Sequence, residues 1–155
     1  MRVFLKFHLI LVLFLSALSY DIISGEIGTL SPNQFIAIKF KLDDTGIPYY
    51  NITYWNTTFV SWSPLGLNFK EGGLLGKNLK LVSVSRKTID ETYPVYSGKS
   101  KYARNQCNET KIVLEEKTGL KRKLELYFRA YDDGAAFRYG IPEQSAVNEF
   151  TLSTE

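Results

Sequence analysis

Residues 123–141 constrain the fold most, because polar and apolar residues alternate strictly on both sides of a turn signal. Before the turn, one parity is apolar: Leu124, Leu126, Phe128 and Ala130. After it, Ala135, Phe137, Tyr139 and Ile141 alternate with Ala136, Arg138 and Gly140. Successive side chains of a strand point to opposite faces, so the segment predicts a β-hairpin with one buried face. Asp133-Gly134 accepts positive φ in a tight hairpin, so we predict these two residues as the structural turn.

Short alternating segments continue along the 155 residues, which include ten Tyr and ten Phe. We predict nine strands, over residues 34–42, 47–54, 57–62, 67–70, 79–89, 104–116, 123–131, 135–141 and 147–155. Residues 71–78 are predicted as a Gly-rich loop. With no amphipathic helix, this pattern favours an all-β, antiparallel β-sandwich. The last strand starts close to Glu155, so we expect an N-terminal piece of a longer protein. If the chain ends at Glu155, we expect its final strand to lack a partner.

The N-terminus has the features of a secretory signal. Arg2 and Lys6 precede an apolar run over residues 9–18, and small residues follow at Ala17 and Ser19. We predict a signal-peptide helix over residues 1–19, cleaved after Ser19, and a secreted or periplasmic mature chain over residues 20–155. The alternative is an uncleaved anchor, although the apolar run is shorter than the roughly 20 residues that cross a bilayer.

Charge, histidine and cysteine exclude several classes of function. The net charge is +3, and loss of the signal's two basic residues leaves +1, which predicts neither nucleic acid nor an anionic membrane as a partner. His8 is the only histidine and leaves with the signal, which excludes Ser-His-Asp and Cys-His catalysis and His-ligated metals. Cys107 is the only cysteine, so no internal disulfide forms. We predict it as a buried small hydrophobe, with intermolecular pairing as the alternative.

Three Asn-X-Thr triplets are glycosylation candidates. Asn56 is the best because it lies at the predicted bend after residue 54. Asn51 shares parity with Thr53 and is expected at the surface. Asn108 is the weakest.

Few residues suggest chemistry. The acidic pairs Asp43-Asp44, Asp90-Glu91, Glu115-Glu116 and Asp132-Asp133 are neighbours whose side chains point apart, so none forms the facing carboxylates of a glycosidase. We therefore predict turn and surface roles for them, and no catalytic or metal-binding residue. Trp55 and Trp62 are candidates for stacking on sugar rings; the alternative is one exposed and one core aromatic residue.

The hairpin sequence Phe128-Arg-Ala-Tyr-Asp-Asp-Gly-Ala-Ala-Phe-Arg-Tyr139, followed by Ile141-Pro-Glu-Gln144, resembles the N-terminal domain of glycoside hydrolase family 97. Further fragments resemble that family in the same order: Ser31-Pro-Asn33, Asp43–Tyr50, Leu65-Gly-Leu67, Asp90–Tyr96 with Gly98, and Arg104–Glu109. The sequence departs from the family pattern at Tyr93 and Tyr96, where Trp is usual, and at Cys107, where Tyr is usual. Thr110 replaces an apolar residue and thereby creates the Asn108 triplet. A glycan would not fit at Asn108 if that residue has the packed position of the family.

The resemblance implies a large sandwich of the galactose-mutarotase-like (super-sandwich) kind, packed against a (β/α)8 barrel in a secreted or periplasmic α-glucosidase or α-galactosidase. It implies that the catalytic carboxylates and most of the ligands of a calcium ion lie in regions beyond this sequence, and that the carbohydrate partner is an α-glucoside or α-galactoside. We therefore expect an inactive, supporting, carbohydrate-contacting N-terminal segment. The alternatives are a free-standing secreted carbohydrate-binding module and a secreted structural or adhesive sandwich.

Overall fold

The computed structural model describes residues 25–96, 98–145 and 149–154. The predicted signal peptide lies outside these residues. Eleven strands are present in the described part: β1 (Glu26–Leu30), β2 (Ile36–Leu42), β3 (Pro48–Tyr54), β4 (Thr57–Pro64), β5 (Leu67–Phe69), β6 (Gly73–Leu75), β7 (Leu79–Pro94), β8 (Tyr102–Glu116), β9 (Lys123–Tyr131), β10 (Ala135–Gly140) and β11 (Leu152–Thr154). The described residues contain no helix, so the prediction of an all-β antiparallel fold is confirmed.

The strands form three antiparallel sheets. The first sheet has the order β1-β2-β3-β4, the second β10-β9-β8-β7, and the third β11-β5-β6. Each neighbouring pair of the first two sheets is consecutive in the chain, so both sheets are meanders built from hairpins. The long hairpin of β7 and β8 extends beyond β9, because β9 pairs with β8 only from Cys107 onwards.

The first two sheets pack face to face through the apolar parities seen in the sequence. Phe128 of β9 is 1% exposed, and its ring centroid lies 6.1 Å from that of Phe40 on β2 and 6.5 Å from that of Tyr50 on β3. Phe137 of β10 lies 5.1 Å from Tyr50 across the same interface. The buried residues of this core are Ile38, Phe40, Leu65, Leu67, Phe69, Leu75, Leu79, Ile112, Leu114, Leu124, Leu126, Phe128 and Ala130. The alternation predicted for β9 is therefore confirmed.

Two strands were missed in the sequence. β1 contains Gly28, which gives no strand signal, and it forms by pairing with β2 from Glu26↔Lys41 to Leu30↔Ala37. β6 lies inside the predicted Gly-rich loop and forms by pairing with β5. The prediction of an unpaired last strand was wrong, because β11 pairs with β5 at Leu152↔Phe69.

A buried ion pair attaches the third sheet to the second. The Arg122 guanidinium, in the turn between β8 and β9, donates to both carboxylate oxygens of Glu116 at 3.0 and 2.6 Å. It also donates to the carbonyls of Gly72 at 2.8 Å and Leu74 at 3.3 Å. Arg122 and Glu116 are 5% and 9% exposed. Removal of either side chain would therefore leave the charge of the other one buried without a partner, which destabilises a fold.

The turn between β2 and β3 leaves no room for a side chain at Gly46. Its φ is +76°, and a Cβ there would lie 2.5 Å from both the backbone nitrogen and oxygen of Leu79. The Leu79 N–H donates to the Gly46 carbonyl at 3.0 Å, so the start of β7 docks on this turn. Gly119 has the same φ, but no atom lies within 4 Å of its added Cβ.

Alanine substitutions at these two glycines distinguish the cost of a left-handed backbone from the cost of steric overlap with Leu79. We expect Gly119→Ala to lower the free energy of unfolding by about 1–2 kcal/mol, since only the left-handed backbone is penalised. Gly46→Ala should lower it by about 2–5 kcal/mol, because overlap with fixed backbone adds roughly 1–3 kcal/mol. Urea denaturation of both variants measures the difference; equal losses would contradict the docking of the β2–β3 turn on Leu79.

Candidate functional site

An exposed group of aromatic side chains, here called the tip cluster, consists of Phe35, Tyr54 and Trp55. Trp55 and Asn56 connect β3 to β4 with φ values of 48° and 61°, the left-handed pair of a type I′ turn. The Trp55 ring stacks on Phe35 with centroids 4.2 Å apart and planes 18° apart, and Tyr54 meets it edge-on at 6.4 Å. Trp55 is still 64% exposed.

Trp62 belongs to a different surface. It is half-buried on β4, and the Nζ of Lys41 lies 4.2 Å from its ring centroid. Five residues separate Thr57 from Trp62, which at about 3.3 Å per residue is roughly 16 Å along β4. The structure therefore does not bring Trp55 and Trp62 together on one stacking platform.

The hairpin turn of β9 and β10 lies next to the tip cluster through the β1–β2 loop. The Asn33 N–H donates to Asp132 Oδ1 at 2.8 Å, and the Asn33 side-chain amide donates to the Asp132 carbonyl at 3.3 Å. Asn33 Oδ1 accepts the Phe35 N–H at 3.0 Å. This network holds the tip of the second sheet against the loop that carries Phe35.

The predicted Asp133-Gly134 turn needs correction. The Tyr131 N–H donates to the Gly134 carbonyl at 2.8 Å, so the turn is centred on Asp132 and Asp133, and neither Asp133 nor Gly134 has positive φ. The physical reason is the strand register: Ala130 pairs with Ala135, which leaves Asp132 and Asp133 as the two residues of the bend. Both residues keep a turn position, but Gly134 is not needed for a left-handed backbone.

The three glycosylation candidates have different surroundings. Asn56 is exposed at its turn, as expected. Asn51 is 6% exposed, contrary to the expectation from parity, because a bulge between β3 and β4 lets its amide donate to the Val60 carbonyl at 2.7 Å. The Asn108 amide donates to the Leu30 carbonyl at 2.9 Å, and its Oδ1 accepts the Thr88 hydroxyl at 2.9 Å. Asn108 thus has a packed position that joins β8 to β1.

At least one member of each acidic pair has a structural partner. Asp43 caps its own turn by accepting from Thr45 and Ile47. Asp90 forms two hydrogen bonds with Arg104 at 2.8 Å each on the exposed β7–β8 hairpin. Glu116 pairs with Arg122, and Asp132 with Asn33. Asp43, Asp90 and Asp132 have the turn and surface roles predicted for the pairs, whereas Glu116 departs from that prediction because it lies in a buried ion pair.

No group of three or more His, Cys, Asp or Glu side chains in the described ranges could hold a metal ion. The carboxylates of the described residues therefore form no cluster of the kind that calcium sites often use. Within the same residues, no helix is long and apolar enough to span a bilayer.

The outer face of the second sheet carries a charge network that the sequence did not reveal. Glu109 of β8 is 4% exposed and lies between Lys87 of β7, at 3.2 Å, and Arg129 of β9, at 2.6 Å. Burial alone would raise the pKa of the Glu109 carboxyl, but the hydrogen bonds from Arg129 and Lys87 outweigh burial and hold that pKa below its usual value. Lys87, Glu109 and Arg129 are far apart in the sequence and meet only through the cross-strand register. The sequence could therefore reveal this network only if the pairing of β7, β8 and β9 were already known.

Neighbouring residues extend this network. The Arg138 guanidinium lies 3.9 Å from the Tyr127 ring centroid, and the Tyr127 hydroxyl donates to Glu125 Oε2 at 2.6 Å. Lys111 forms an ion pair with Glu125 at 2.8 Å.

Cys107 lies on β8 and is fully buried, which confirms its prediction as a small hydrophobe.

Two open clefts lie beside the third sheet. One, of about 540 Å³, is lined by Leu67, Phe137, Arg138, Tyr139, Ile141, Phe150 and Leu152 and has no carboxylate among these residues. The other, of about 570 Å³, contains Glu71 and Glu149, which are both exposed.

The packed sheets and the structural use of the carboxylates define the class of this domain. It is a β-sandwich module in which many charged groups, such as Asp43, Glu109 and Glu116, are bound in turns and ion pairs. No facing pair of catalytic carboxylates is formed by its four acidic pairs.

The chain belongs to glycoside hydrolase family 97: the sequence pattern of the glycosyl-hydrolase 97 N-terminal domain matches residues 30–155. It is 31% identical over 90 residues to a retaining α-galactosidase of Bacteroides thetaiotaomicron, covering 58% of this chain and 13% of the relative. It is 29% identical over 123 residues to a probable retaining α-galactosidase of Streptomyces bingchenggensis, covering 76% of this chain and 19% of the relative. The resemblance seen in the sequence is confirmed.

Solved structures support the same assignment. A family 97 enzyme from Pseudoalteromonas sp. strain K8, solved in complex with panose, has a TM-score of 0.75 and 25% identity, over 81% of this chain and 19% of that one. A β-arabinopyranosidase has a TM-score of 0.72 and 30% identity, over 82% of this chain and 20% of that one. The chain therefore spans about a fifth or less of the length of these relatives.

The lowered pKa of Glu109 predicts a pH-dependent contribution to stability. A depressed carboxyl pKa stabilises the fold above the unfolded value of about 4.3, and this contribution is lost as the pH falls through the folded pKa. We expect Glu109→Gln to lower the free energy of unfolding by about 1–2 kcal/mol at pH 7. The difference from the unmodified chain should shrink below about pH 4.3.

Urea denaturation between neutral and acidic pH measures this difference. The control is Glu71→Gln, which alters an exposed carboxylate and should follow the unmodified chain throughout. A Glu109→Gln deficit that persists unchanged in acid would contradict the assigned ion pairs.

Proposed function

We propose that this chain is the non-catalytic N-terminal segment of a secreted retaining α-glycosidase, which supports a catalytic (β/α)8 barrel and contacts carbohydrate. The observation that carries the proposal is the family match over residues 30–155. The α-galactosidase relatives and the complexes of the Pseudoalteromonas enzyme with panose and with acarbose favour an α-galactoside or α-glucoside as the substrate class.

The proposal includes the fold subtype and the calcium of the family. The face-to-face sheets of Phe128 and Phe40 are compatible with half of a mutarotase-like super-sandwich. Calcium in the whole enzyme would supply positive charge to oxygen groups, and we assign its ligands to regions other than the described residues. What these residues contribute is a stable sandwich and its surfaces.

A grafting experiment tests the supporting role. Deletion of the matched N-terminal segment from the Bacteroides α-galactosidase should abolish its activity, because the barrel loses its packing partner. Insertion of residues 30–155 of this chain in its place should restore turnover to within about tenfold, a loss of roughly 1.4 kcal/mol. A folded but inactive graft would contradict the proposal.

We also expect the 155-residue protein alone to show no turnover of aryl α-galactosides or α-glucosides. The reason is that its carboxylates serve turns and ion pairs, as at Asp43, Asp90 and Glu116. Saturable hydrolysis by the purified chain would contradict the supporting role and indicate an independent enzyme.

Secretion and glycosylation form a further part of the proposal. In a eukaryotic secretory host, the mature N-terminus should be Tyr20, and Asn56 should carry a glycan because it is exposed at a turn. Asn56→Gln should abolish the mass shift on glycosidase treatment. Asn51→Gln is the matched control and should leave it unchanged, since Asn51 is buried; loss of the shift in that control would overturn the assignment.

The second candidate is a free-standing carbohydrate-binding module. The exposed indole of Trp55 favours it, because flat aromatic side chains at the surface are a common means of holding sugars. A chain that binds oligosaccharides but cannot replace the relative's N-terminal segment would support this alternative.

A further inference from the structure

The turn that carries Trp55 is unusual for its type. A two-residue type I′ turn requires positive φ at both positions, which favours Asn-Gly or Gly-Gly. Here the positions are occupied by Trp55 at 48° and Asn56 at 61°. A bulky side chain is strained in the left-handed region, and such strain concentrates at functional sites. The turn thus places an indole where turn formation alone favours a small residue.

The indole is also held in one orientation. The Trp55 N–H donates to the Phe35 carbonyl at 2.8 Å, so the β3–β4 turn is attached to the end of the β1–β2 loop. Phe35 stacks on one ring face at 4.2 Å, and Tyr54 meets the ring edge-on at 6.4 Å. With 64% of Trp55 exposed, the face opposite Phe35 is open to solvent. A fixed, flat apolar surface of this size matches the C–H face of one pyranose ring.

The loop that carries Phe35 is also joined to polar groups. Phe35 is held by Asn33, and Asn33 is held by the exposed Asp132. A carboxylate has about four acceptor positions, so Asp132 retains capacity for a sugar hydroxyl after accepting from Asn33. Asp133, next along the turn, is also exposed. Apolar stacking beside a small number of fixed acceptors is the usual composition of a small-molecule site.

We propose that the tip cluster binds one pyranose ring of a neutral α-linked oligosaccharide, with Trp55 as the stacking surface and Asp132 as a hydroxyl acceptor. The inference rests on the carbohydrate contact in the proposed function and adds its location. Trp62 is not part of this site, because Lys41 covers its ring and it lies farther along β4. A glycan on Asn56 would compete for the same surface, so the unglycosylated protein is the form that binds.

The test uses the chain produced in a bacterial cytoplasm, with panose and raffinose as probes. Saturation-transfer NMR and calorimetry should detect saturable binding of at least one of them. Trp55→Gly removes the indole and suits the left-handed turn, and it should weaken binding at least tenfold while circular dichroism stays unchanged. Trp55→Phe keeps a ring and should remain within about threefold of the unmodified chain, a difference of roughly 0.7 kcal/mol. Trp62→Phe is the matched control and should bind normally.

The outcomes separate the location from the carbohydrate contact. Unchanged binding by a folded Trp55→Gly variant would overturn the tip cluster as the site and leave carbohydrate contact by the domain intact. Binding lost in Trp62→Phe but kept in Trp55→Gly would move the site to β4. Absence of any binding to the folded, unmodified chain would refute the tip cluster and the carbohydrate contact together, whereas the supporting role is decided by the graft.

Discussion

The contact on which this fold depends is the packing of Phe128 between the two main sheets. Its ring meets Phe40 and Tyr50 of the first sheet and Phe137 of its own sheet. Cys107 is the only cysteine, so no internal disulfide limits the unfolded chain and this burial must supply the stability. A buried Phe side chain contributes about 1.5–3 kcal/mol by removal from water. The alternation along the strands matters because it places the apolar side chains on the sheet face that points into the core.

Apolar packing has no direction, so polar contacts must set how the sheets meet. Three lie where the sheets approach each other: Asn33 with Asp132, Asn108 with the Leu30 carbonyl, and the Tyr139 hydroxyl, which accepts the Gly66 N–H at 3.1 Å. At the other end, Arg122 joins Glu116 to the carbonyls of Gly72, just before β6, and Leu74, within it. These bonds are specific in geometry, and shifting one sheet by a residue would break them.

Local patterns predicted the strands whose own residues alternate, such as β2, β9 and β10. They failed where pairing with a neighbour makes the strand, as in β1 with Gly28 and β6 with Gly73. The same limit applies to the candidate site. Trp55 and Asn56 were found from composition and a bend, but the burial of Asn51 follows from a bulge opposite it, and the contact of Asp132 with Asn33 joins residues 99 positions apart. The alternation of residues predicts which side chains of a strand share a face. It does not predict the contacts that neighbouring strands or another sheet make with them.

The two tryptophans show how context decides the use of one residue type. Trp62 lies within β4, and the Nζ of Lys41 is 4.2 Å from its ring centroid. This ring therefore already makes a cation–π contact within the domain. Trp55 stands at a turn with backbone dihedrals that suit glycine, and it keeps one ring face free. Stacking on Phe35 contributes about 0.5–1.5 kcal/mol, which is similar to the roughly 1–2 kcal/mol that the left-handed backbone costs. Stability therefore gives little net reason for an indole at this turn, and this balance is an argument for the proposed ligand contact of its free face.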